Sequence, residues 1–202
     1  MQIEHERRFQ LTSEAYLALL TLLDWSSPSV VTDVMMGRSG QLSMATDGWV
    51  IRLRKTDGRG AMQFKGRLKR DNEHLEVGVG IDSMENAAKL LSFIGLRLGL
   101  VITRTRRCAE VNGAQLALDD VSCLGQFLEV EVSDDQDYDV FTFLSRYVDL
   151  ATECETYGDL ILDKQRTDAK WAERYREESK QLLIGLRLQH LESDRAWWRD
   201  HA

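Results

Sequence analysis

The sequence contains one proline, Pro28, and no glycine- and serine-rich stretch that would mark a flexible linker. Its three cysteines, Cys108, Cys123 and Cys154, do not have the spacing of paired metal ligands. No run of about 18 apolar residues is present, so no membrane-spanning helix is predicted. The first residues are charged, unlike those of a secretory signal. We therefore expect a cytoplasmic protein with reduced thiols and no membrane partner.

Net positive charge is also absent. The chain of 202 residues has 26 Lys and Arg against 33 Asp and Glu, which gives a formal net charge of −7 at pH 7. Proteins that bind nucleic acid usually present a basic surface, so a nucleic-acid partner is not expected. A basic interior would remain hidden in this total. A hydrophobic content of 43% suits one large or two small globular domains.

Two periodicities divide the chain. Alternation of polar and apolar residues predicts strands at 2–10, 30–36, 49–55, 61–67, 74–80, 100–110, 114–119 and 126–132. Helical spacing is found at 12–24, at 83–97 and from about residue 135 nearly to the end. Asn112-Gly113 indicates a hairpin turn between two of the strands. The pattern predicts an α+β chain with about eight strands and with helices between and after them.

Charged residues of the predicted strands are sorted by sign. Acidic pairs lie on the first and last strands, and basic residues lie on the middle strands, in each case on one face of the strand and opposite apolar residues. A sheet with one wet face gives the same alternation and is the simpler explanation for any single pair. The sorting and the strongly apolar opposite faces favour a closed barrel with the charges inside and helices outside.

Such an interior would be a poor core, because unpaired buried charges are costly. It suits a highly charged ligand instead. Arginines and lysines on several walls match a chain of phosphates. Clustered carboxylates match a divalent cation, since Mg²⁺ takes one or two carboxylates together with substrate phosphate and water. Phosphoryl transfer needs mainly positioning and charge neutralisation, which this set of residues supplies without a nucleophile.

The segment Glu4-x-Glu6-x-Arg8 resembles the ExExK signature of the CYTH superfamily, the triphosphate tunnel metalloenzymes. This superfamily includes class IV adenylate cyclases, thiamine triphosphatases and inorganic triphosphatases. The resemblance continues in order through TDVMM, VIRLR, QFKGR, ITRTRR, LALDDVSCLGQFLEVEV and ETYGDLIL, over roughly residues 2–163. It implies an eight-stranded antiparallel β-barrel, the triphosphate tunnel, surrounded by helices at residues 1–163. Residues 164–202 then form a C-terminal helical extension, packed outside the barrel or forming a homodimer contact or a lid.

The resemblance also implies roles for individual residues. Ligands or water-positioning groups for Mg²⁺ or Mn²⁺ would be Glu4, Glu6, Asp119, Glu129 and Glu131. Phosphate would be held by Arg8, Arg52, Arg54, Lys65, Arg104 and Arg106, and catalysis would involve Glu4, Glu6 and Arg8. A further family acid corresponds to Glu73 or Glu76. Arg8 stands where the family has a lysine, which keeps the charge but not the ability to lose a proton.

The expected function is that of a metal-dependent triphosphatase acting on an inorganic or organic triphosphate. One alternative is a class IV adenylate cyclase that converts ATP to cyclic AMP and pyrophosphate. Another is a triphosphate-binding module without turnover. Two departures from the family pattern support this alternative: Arg8 in place of a lysine, and Met35-Met36 where relatives often have aromatic residues. Retention of both acidic pairs favours an enzyme.

Overall fold

The computed structural model describes residues 2–38, 48–67, 73–132 and 137–191, without the side chains of residues 2–5, 67, 73–74, 137–139 and 150. Eight strands are present in these ranges: β1 (Gln2–Gln10), β2 (Ser29–Gly37), β3 (Trp49–Thr56), β4 (Arg59–Arg67), β5 (Glu73–Ile81), β6 (Arg97–Val111), β7 (Ala114–Val121) and β8 (Gly125–Val132). Their number confirms the sequence pattern, and most ends fall within two residues of the predicted ones.

The strands form a closed antiparallel barrel in the order β1-β5-β4-β3-β2-β6-β7-β8. Closure comes from β1, which pairs with β5 on one side and with β8 on the other. The second pairing sets Glu6 opposite Glu131 and Arg8 opposite Glu129. Because side chains alternate along a strand, this register turns the acidic residues of both strands toward the same interior. The predicted α+β barrel is confirmed.

Two-residue turns join neighbouring strands of the barrel. Asp57 and Gly58 between β3 and β4 have φ angles of 48° and 84°, and Asn112 and Gly113 between β6 and β7 have angles of 53° and 83°. Positive φ at both central residues is the geometry of the type I′ turn, which Asn-Gly and Asp-Gly favour. The hairpin predicted at residues 112–113 is confirmed.

Five α-helices and one short 3₁₀ turn lie in the described ranges: α1 (Ser13–Leu22), α2 (Met84–Phe93), α3 (Asp137–Leu144), the 3₁₀ turn (Leu150–Thr152), α4 (Tyr157–Thr167) and α5 (Ala169–Gly185). The predicted helix at 83–97 is too long, because Gly95 (φ 91°) ends α2 and Leu96 N–H donates to the carbonyl of Leu91.

The C-terminal region differs from the single helical stretch expected after residue 164. Asp168 divides it into α4 and α5, and its side chain accepts a hydrogen bond from Trp171 N–H at 3.0 Å. An aspartate in this place accepts a hydrogen bond from a backbone N–H in the first turn of α5. It therefore favours the beginning of a second helix over the continuation of α4. The helix expected from residue 135 is likewise interrupted, and residues 145–149 and 153–156 are not α-helical.

The helices cover much of the apolar outer face of the barrel, although Val77 and Val79 of β5 are 51% and 54% exposed. Leu19 of α1 packs in one core cluster with Phe9 and Leu116 of the strands, and all three are at most 1% exposed. Burying one such side chain contributes about 1.5–3 kcal/mol. Helix α5 packs on the barrel as well: the Tyr175 hydroxyl donates to the carbonyl of Val101 at 2.9 Å. The outside is therefore the hydrophobic core, which leaves the inside free for charge.

Helix α4 runs continuously across residue 163, where the barrel domain was expected to end. The division of the chain at that residue, the homodimer contact and the lid stay predictions. No helix in the described ranges combines the length and apolar character needed to cross a membrane.

A charged tunnel as the candidate active site

The barrel interior contains a cavity of about 360 Å³. Charged side chains from seven strands line it: Glu6, Arg8, Asp33, Arg52, Arg54, Lys65, Glu76, Arg104, Arg106, Glu129 and Glu131. They point inward because they occupy every second position of strands whose other residues pack under the helices. The same cavity has a smaller apolar part formed by Met35, Val50, Leu100 and Ile102.

The structure brings nearly all of the expected site residues together at this cavity. The exceptions are Asp119, which is fully buried behind the lining, and Glu4, whose side chain is outside the described part. Of the two candidates for the further acid, Glu76 lines the cavity, and the side chain of Glu73 is outside the described part as well. The roles of these residues are taken up under the proposed function.

One part of the tunnel, here called the acidic region, contains Glu6, Glu129 and Glu131. Arg8 donates to both Glu129 (Nε to Oε1, 2.9 Å) and Glu6, and Lys65 Nζ donates to Glu6 Oε2 at 2.8 Å. Burial alone would raise the pKa of Glu129, but Arg106, Arg8 and Arg104 outweigh it and hold this pKa well below the usual value. Lys65 and Arg8 likewise outweigh burial and hold the pKa of Glu6 below the usual value.

Glu131 differs from its two neighbours. Burial raises its pKa, and the negative charges of Glu6, Glu76 and Glu129 raise it further, against the opposing effect of Lys65. A raised pKa means that ionising this carboxyl group costs more free energy in the folded protein than it does in water. The acidic region therefore has negative charge that its own cations do not fully compensate around Glu131.

A second part, here called the basic region, contains Arg52, Arg54 and Arg104. Burial lowers the pKa of Arg52, and the positive charges of Arg54 and Arg104 add to this effect, although Asp33 and Glu76 oppose it. The guanidinium of Arg52 donates to Gln63 at 3.0 Å and to Glu76 at 3.1 Å. Around Arg52 the two carboxylates outweigh the two arginines, so its pKa is lowered by burial. The three guanidinium groups of the region nevertheless share two carboxylates, Asp33 and Glu76, as hydrogen-bond partners.

Arg104 is held between two carboxylates. Its side chain is 3% exposed, its Nη1 donates to Asp33 at 2.8 Å, and its Nε lies 3.3 Å from Asp119 Oδ2. Within the described part of the chain the buried Nε–H has no hydrogen-bond partner. Leaving a buried donor unsatisfied costs about 1–3 kcal/mol, and the ion pair with Asp119 offsets part of that cost.

Asp119 and Tyr157 support the guanidinium of Arg106 from behind. Arg106 donates to Asp119 through Nε (2.8 Å) and Nη2 (2.5 Å), and the Tyr157 hydroxyl donates to Asp119 Oδ2 at 2.9 Å. The ring of Tyr157 also lies 4.2 Å below the guanidinium carbon of Arg8. With these bonds in place, Asp119 is the least available to a metal ion of the expected metal ligands whose side chains are described.

Sequence reasoning missed Asp33, Gln63 and Tyr157 as parts of this site. A signal existed for Asp33, since a single carboxylate in the apolar strand VVTDVMM must find a partner if it is buried. Gln63 shares a strand face with Lys65, but a neutral side chain in that place indicates no role by itself. Tyr157 lies in the segment ETYGDLIL of the family resemblance, which indicated no role for it; it reaches the tunnel from α4, outside the barrel strands.

The arrangement limits what can hold a metal ion. Among the described residues, no three Asp, Glu, His or Cys groups converge closely enough to form a complete metal site. Glu6, Glu129 and Glu131 nevertheless face one cavity, and their donor chemistry suits a hard cation. Mg²⁺ typically uses only one or two carboxylates and completes its shell with phosphate oxygens and water. The residues therefore fit a metal ion that binds together with a phosphate ligand.

The CYTH domain family model matches residues 2–157, and the chain belongs to this family. CYTH domains bind triphosphate substrates, and the triphosphate tunnel metalloenzymes generally use divalent metal ions. None of the curated proteins searched matches the sequence.

Three similar solved structures have the same fold. A conserved hypothetical protein of Pyrococcus furiosus is 21% identical with a TM-score of 0.67, over 78% of this chain and 99% of that one. A candidate adenylate cyclase of Vibrio parahaemolyticus is 16% identical with a TM-score of 0.60, over 79% and 98%. A candidate adenylyl cyclase of Hippeastrum, described as having dominant triphosphatase activity, is 16% identical with a TM-score of 0.56, over 73% and 88%. At these identities the likeness shows the fold alone.

Proposed function

We propose that this protein is a metal-dependent triphosphatase that hydrolyses an inorganic or organic triphosphate inside the tunnel. The observation that carries the proposal is the opposite charge of the two regions. Around Glu131 the uncompensated charge is negative, and in the basic region three guanidinium groups share the two carboxylates of Asp33 and Glu76. A triphosphate together with a divalent cation supplies the complement of both regions at once.

The phosphate chain is assigned to Arg8, Arg52, Arg54, Lys65, Arg104 and Arg106. All six of these cationic side chains line the one cavity. An anion beside Arg52 would also offset part of the effect of burial, which lowers its pKa. Guanidinium groups fixed in this way can bind a phosphate bidentately and stabilise the charge of the transferred phosphoryl group.

Arg8 is assigned to charge stabilisation and not to proton transfer. Burial opposes its charge, but Glu129 and Glu6 outweigh burial and hold its pKa well above the usual value. An arginine in this position stays protonated and cannot accept a proton from water. Orientation of the attacking water therefore belongs to carboxylates, for which we propose Glu6 and Glu4.

The metal ion, Mg²⁺ or Mn²⁺, is assigned to Glu6, Glu129 and Glu131, with Glu4 as a further ligand. Bound there, it would supply charge neutralisation for the phosphate oxygens. Glu6 and Glu129 each hold a cationic side chain in this structure, so we expect these ion pairs to rearrange when ligand binds. Asp119 was expected among the metal ligands, but its bonds to Arg106 and Tyr157 favour a supporting role.

A second candidate function is that of an adenylate cyclase. The apolar part of the cavity, with Met35 and Ile102, gives a surface that an organic group attached to the triphosphate could contact. The name of the similar protein from Vibrio parahaemolyticus points the same way, whereas the Hippeastrum protein is described as having dominant triphosphatase activity. Cyclisation would need the ribose 3′-oxygen to be held in line with the α-phosphate, which is a question of positioning and not of new chemistry.

Product analysis separates the candidates. Purified protein is incubated with Mg²⁺ or Mn²⁺ and, separately, with tripolyphosphate, ATP or thiamine triphosphate, and the products are identified by chromatography. Release of orthophosphate is the expected result, whereas cyclic AMP with pyrophosphate would establish the cyclase. Binding of tripolyphosphate without any product would contradict both and identify a binding module.

A further inference from the structure

Asp33 is the carboxylate of the tunnel that has no role so far. It lies in the middle of β2, and its side chain is 2% exposed. Arg54 donates to it through both Nε (2.7 Å) and Nη2 (2.9 Å), and Arg104 Nη1 donates to Oδ2 at 2.8 Å. Strand β2 lies between β3 and β6 in the barrel, so a residue at its centre can reach one arginine on each side.

From this geometry we propose that Asp33 is the positioning residue for the phosphate-binding arginines, which fixes Arg54 and Arg104 at the angle that faces the ligand. The inference rests on the function proposed above. In addition to the residues proposed to bind phosphate, it assigns to Asp33 the orientation of the basic region, without any contact between Asp33 and phosphate.

Asp33 is unsuited to the other role that a carboxylate could have here. Burial would raise its pKa, but Arg104, Arg52 and Arg54 outweigh burial and hold it far below the usual range, so the group stays ionised. Both of its oxygens accept bonds from guanidinium groups, and the acidic residues are grouped elsewhere, around Glu131. A metal ion at Asp33 would have to displace two arginines.

Fixing the two guanidinium groups has a chemical purpose. Asp33 binds the guanidinium of Arg54 bidentately and so fixes its plane. The N–H groups of Arg54 that do not bond to Asp33 therefore point in a fixed direction. Arg104 is held at Nη1 by Asp33, and its Nε lies 3.3 Å from Asp119 Oδ2, so its plane is fixed from two sides as well. Donors oriented before the ligand arrives stabilise a transition state without a reorganisation cost.

The test is the substitution Asp33→Asn, with Asp120→Asn as the matched control because Asp120 is exposed on the same barrel. Loss of orientation predicts a fall in kcat of about 10- to 100-fold. The KM for tripolyphosphate should stay within about twofold of wild type or fall, because removing a negative charge strengthens the attraction of anions. To exclude misfolded protein, kcat is calculated from the concentration of binding sites measured by calorimetric titration and not from the total protein concentration.

A binding measurement makes the test independent of turnover. Dissociation constants of tripolyphosphate and of sulfate are measured without metal for wild type and Asp33→Asn. We expect sulfate, which one guanidinium can hold, to bind more tightly in the variant, and the preference for tripolyphosphate over sulfate to fall about tenfold. A wild type that binds tripolyphosphate without hydrolysing it would contradict the proposed function and leave this comparison intact.

Three results would overturn the inference: unchanged kcat and selectivity in Asp33→Asn, a fall in kcat/KM that lies wholly in KM, or a wild type that binds no phosphate. If Asp33→Asn does not fold because it leaves two arginines unpaired, it is combined with Arg54→Gln and Arg104→Gln, which removes both arginine partners. A residue that acts through these two arginines should make the triple variant no worse than the variant with Arg54→Gln and Arg104→Gln alone. Additive losses in these variants would contradict the positioning role.

Discussion

The acidic and basic regions of the tunnel are both buried, yet their groups are perturbed in opposite ways. Burial and neighbouring carboxylates disfavour the charged form of Glu131, whereas burial disfavours the charged form of Arg52, in a region where three guanidinium groups share two carboxylates. Elsewhere in the tunnel the pairs are close and complementary, as in Arg106 with Asp119. Charge of one sign is thus left in excess at two separate places, which costs stability unless a ligand of matching charge binds.

The largest effect is expected from a substitution in the acidic region. Glu129→Gln should lower metal-dependent turnover by about 100-fold or more, because Glu129 is an assigned metal ligand and also holds Arg8 and Arg106. The variant should remain folded, since glutamine keeps the size and hydrogen-bonding oxygen of the side chain. Orthophosphate release and circular dichroism check the two statements. Glu173→Gln, a change at an exposed position of α5, is the control, and wild-type activity in Glu129→Gln would show that the metal assignment is wrong.

A smaller effect is expected from weakening the basic region. Arg52→Ala removes one of its three cations, and we expect dissociation constants for all triphosphates to rise by about tenfold and by similar factors. A similar factor follows because the phosphate chain is common to every candidate substrate. Calorimetric titration with tripolyphosphate, ATP and thiamine triphosphate measures the dissociation constants, and Arg59→Ala, a change at an exposed position, is the control. An effect confined to one of these ligands would place Arg52 beside the organic group instead.

The smallest effect concerns stability and sharpens the comparison. Because the pKa of Glu131 is raised in the folded protein, the folded state binds more protons than the unfolded state between the unfolded and folded pKa values. The contribution of Glu131 to stability therefore decreases as pH rises through that window, and at pH 7 it is unfavourable. Glu131→Gln should raise Tm at pH 7 by about 1–3 °C.

Thermal unfolding at several pH values checks this sign. The gain in Tm from Glu131→Gln should disappear as pH falls below the ordinary pKa of a glutamate, because the wild-type side chain is then neutral in both states. A loss of Tm at pH 7 would mean that Glu131 is compensated in the folded protein. In that case the acidic region would have no excess of negative charge to attract a metal ion.

Most of the barrel was predictable because its strands alternate so regularly. Glu6 and Arg8 had to share a face, and so did Glu129 and Glu131, whichever strands they paired with. Asp33 escaped because a single charge has no periodicity, and its partners Arg54 and Arg104 are fixed only by the strand order. The contact of Tyr157 with Arg8 depends on where a helix crosses the barrel, which no local pattern encodes.

Helix ends were predicted less well, for a local reason. At Asp168 the residue can either continue a helix or cap a new one, and its bond to the backbone of Trp171 decides for the cap. Gly95 has the same effect at the end of α2, where the positive φ that glycine tolerates stops a pattern that otherwise continues to residue 97. Periodicity alone does not register either effect.

The measurement that tests the central claim most directly is the binding of Mg²⁺ to the wild-type protein with and without tripolyphosphate, by calorimetric titration corrected for binding of the two in solution. If the two regions form one site, each ligand should raise the affinity for the other by the same factor, expected to be about tenfold or more. Mg²⁺ alone should bind weakly, because the described carboxylates do not form a complete metal site by themselves. Equal affinity for Mg²⁺ in both titrations, or no binding of tripolyphosphate at all, would contradict the account.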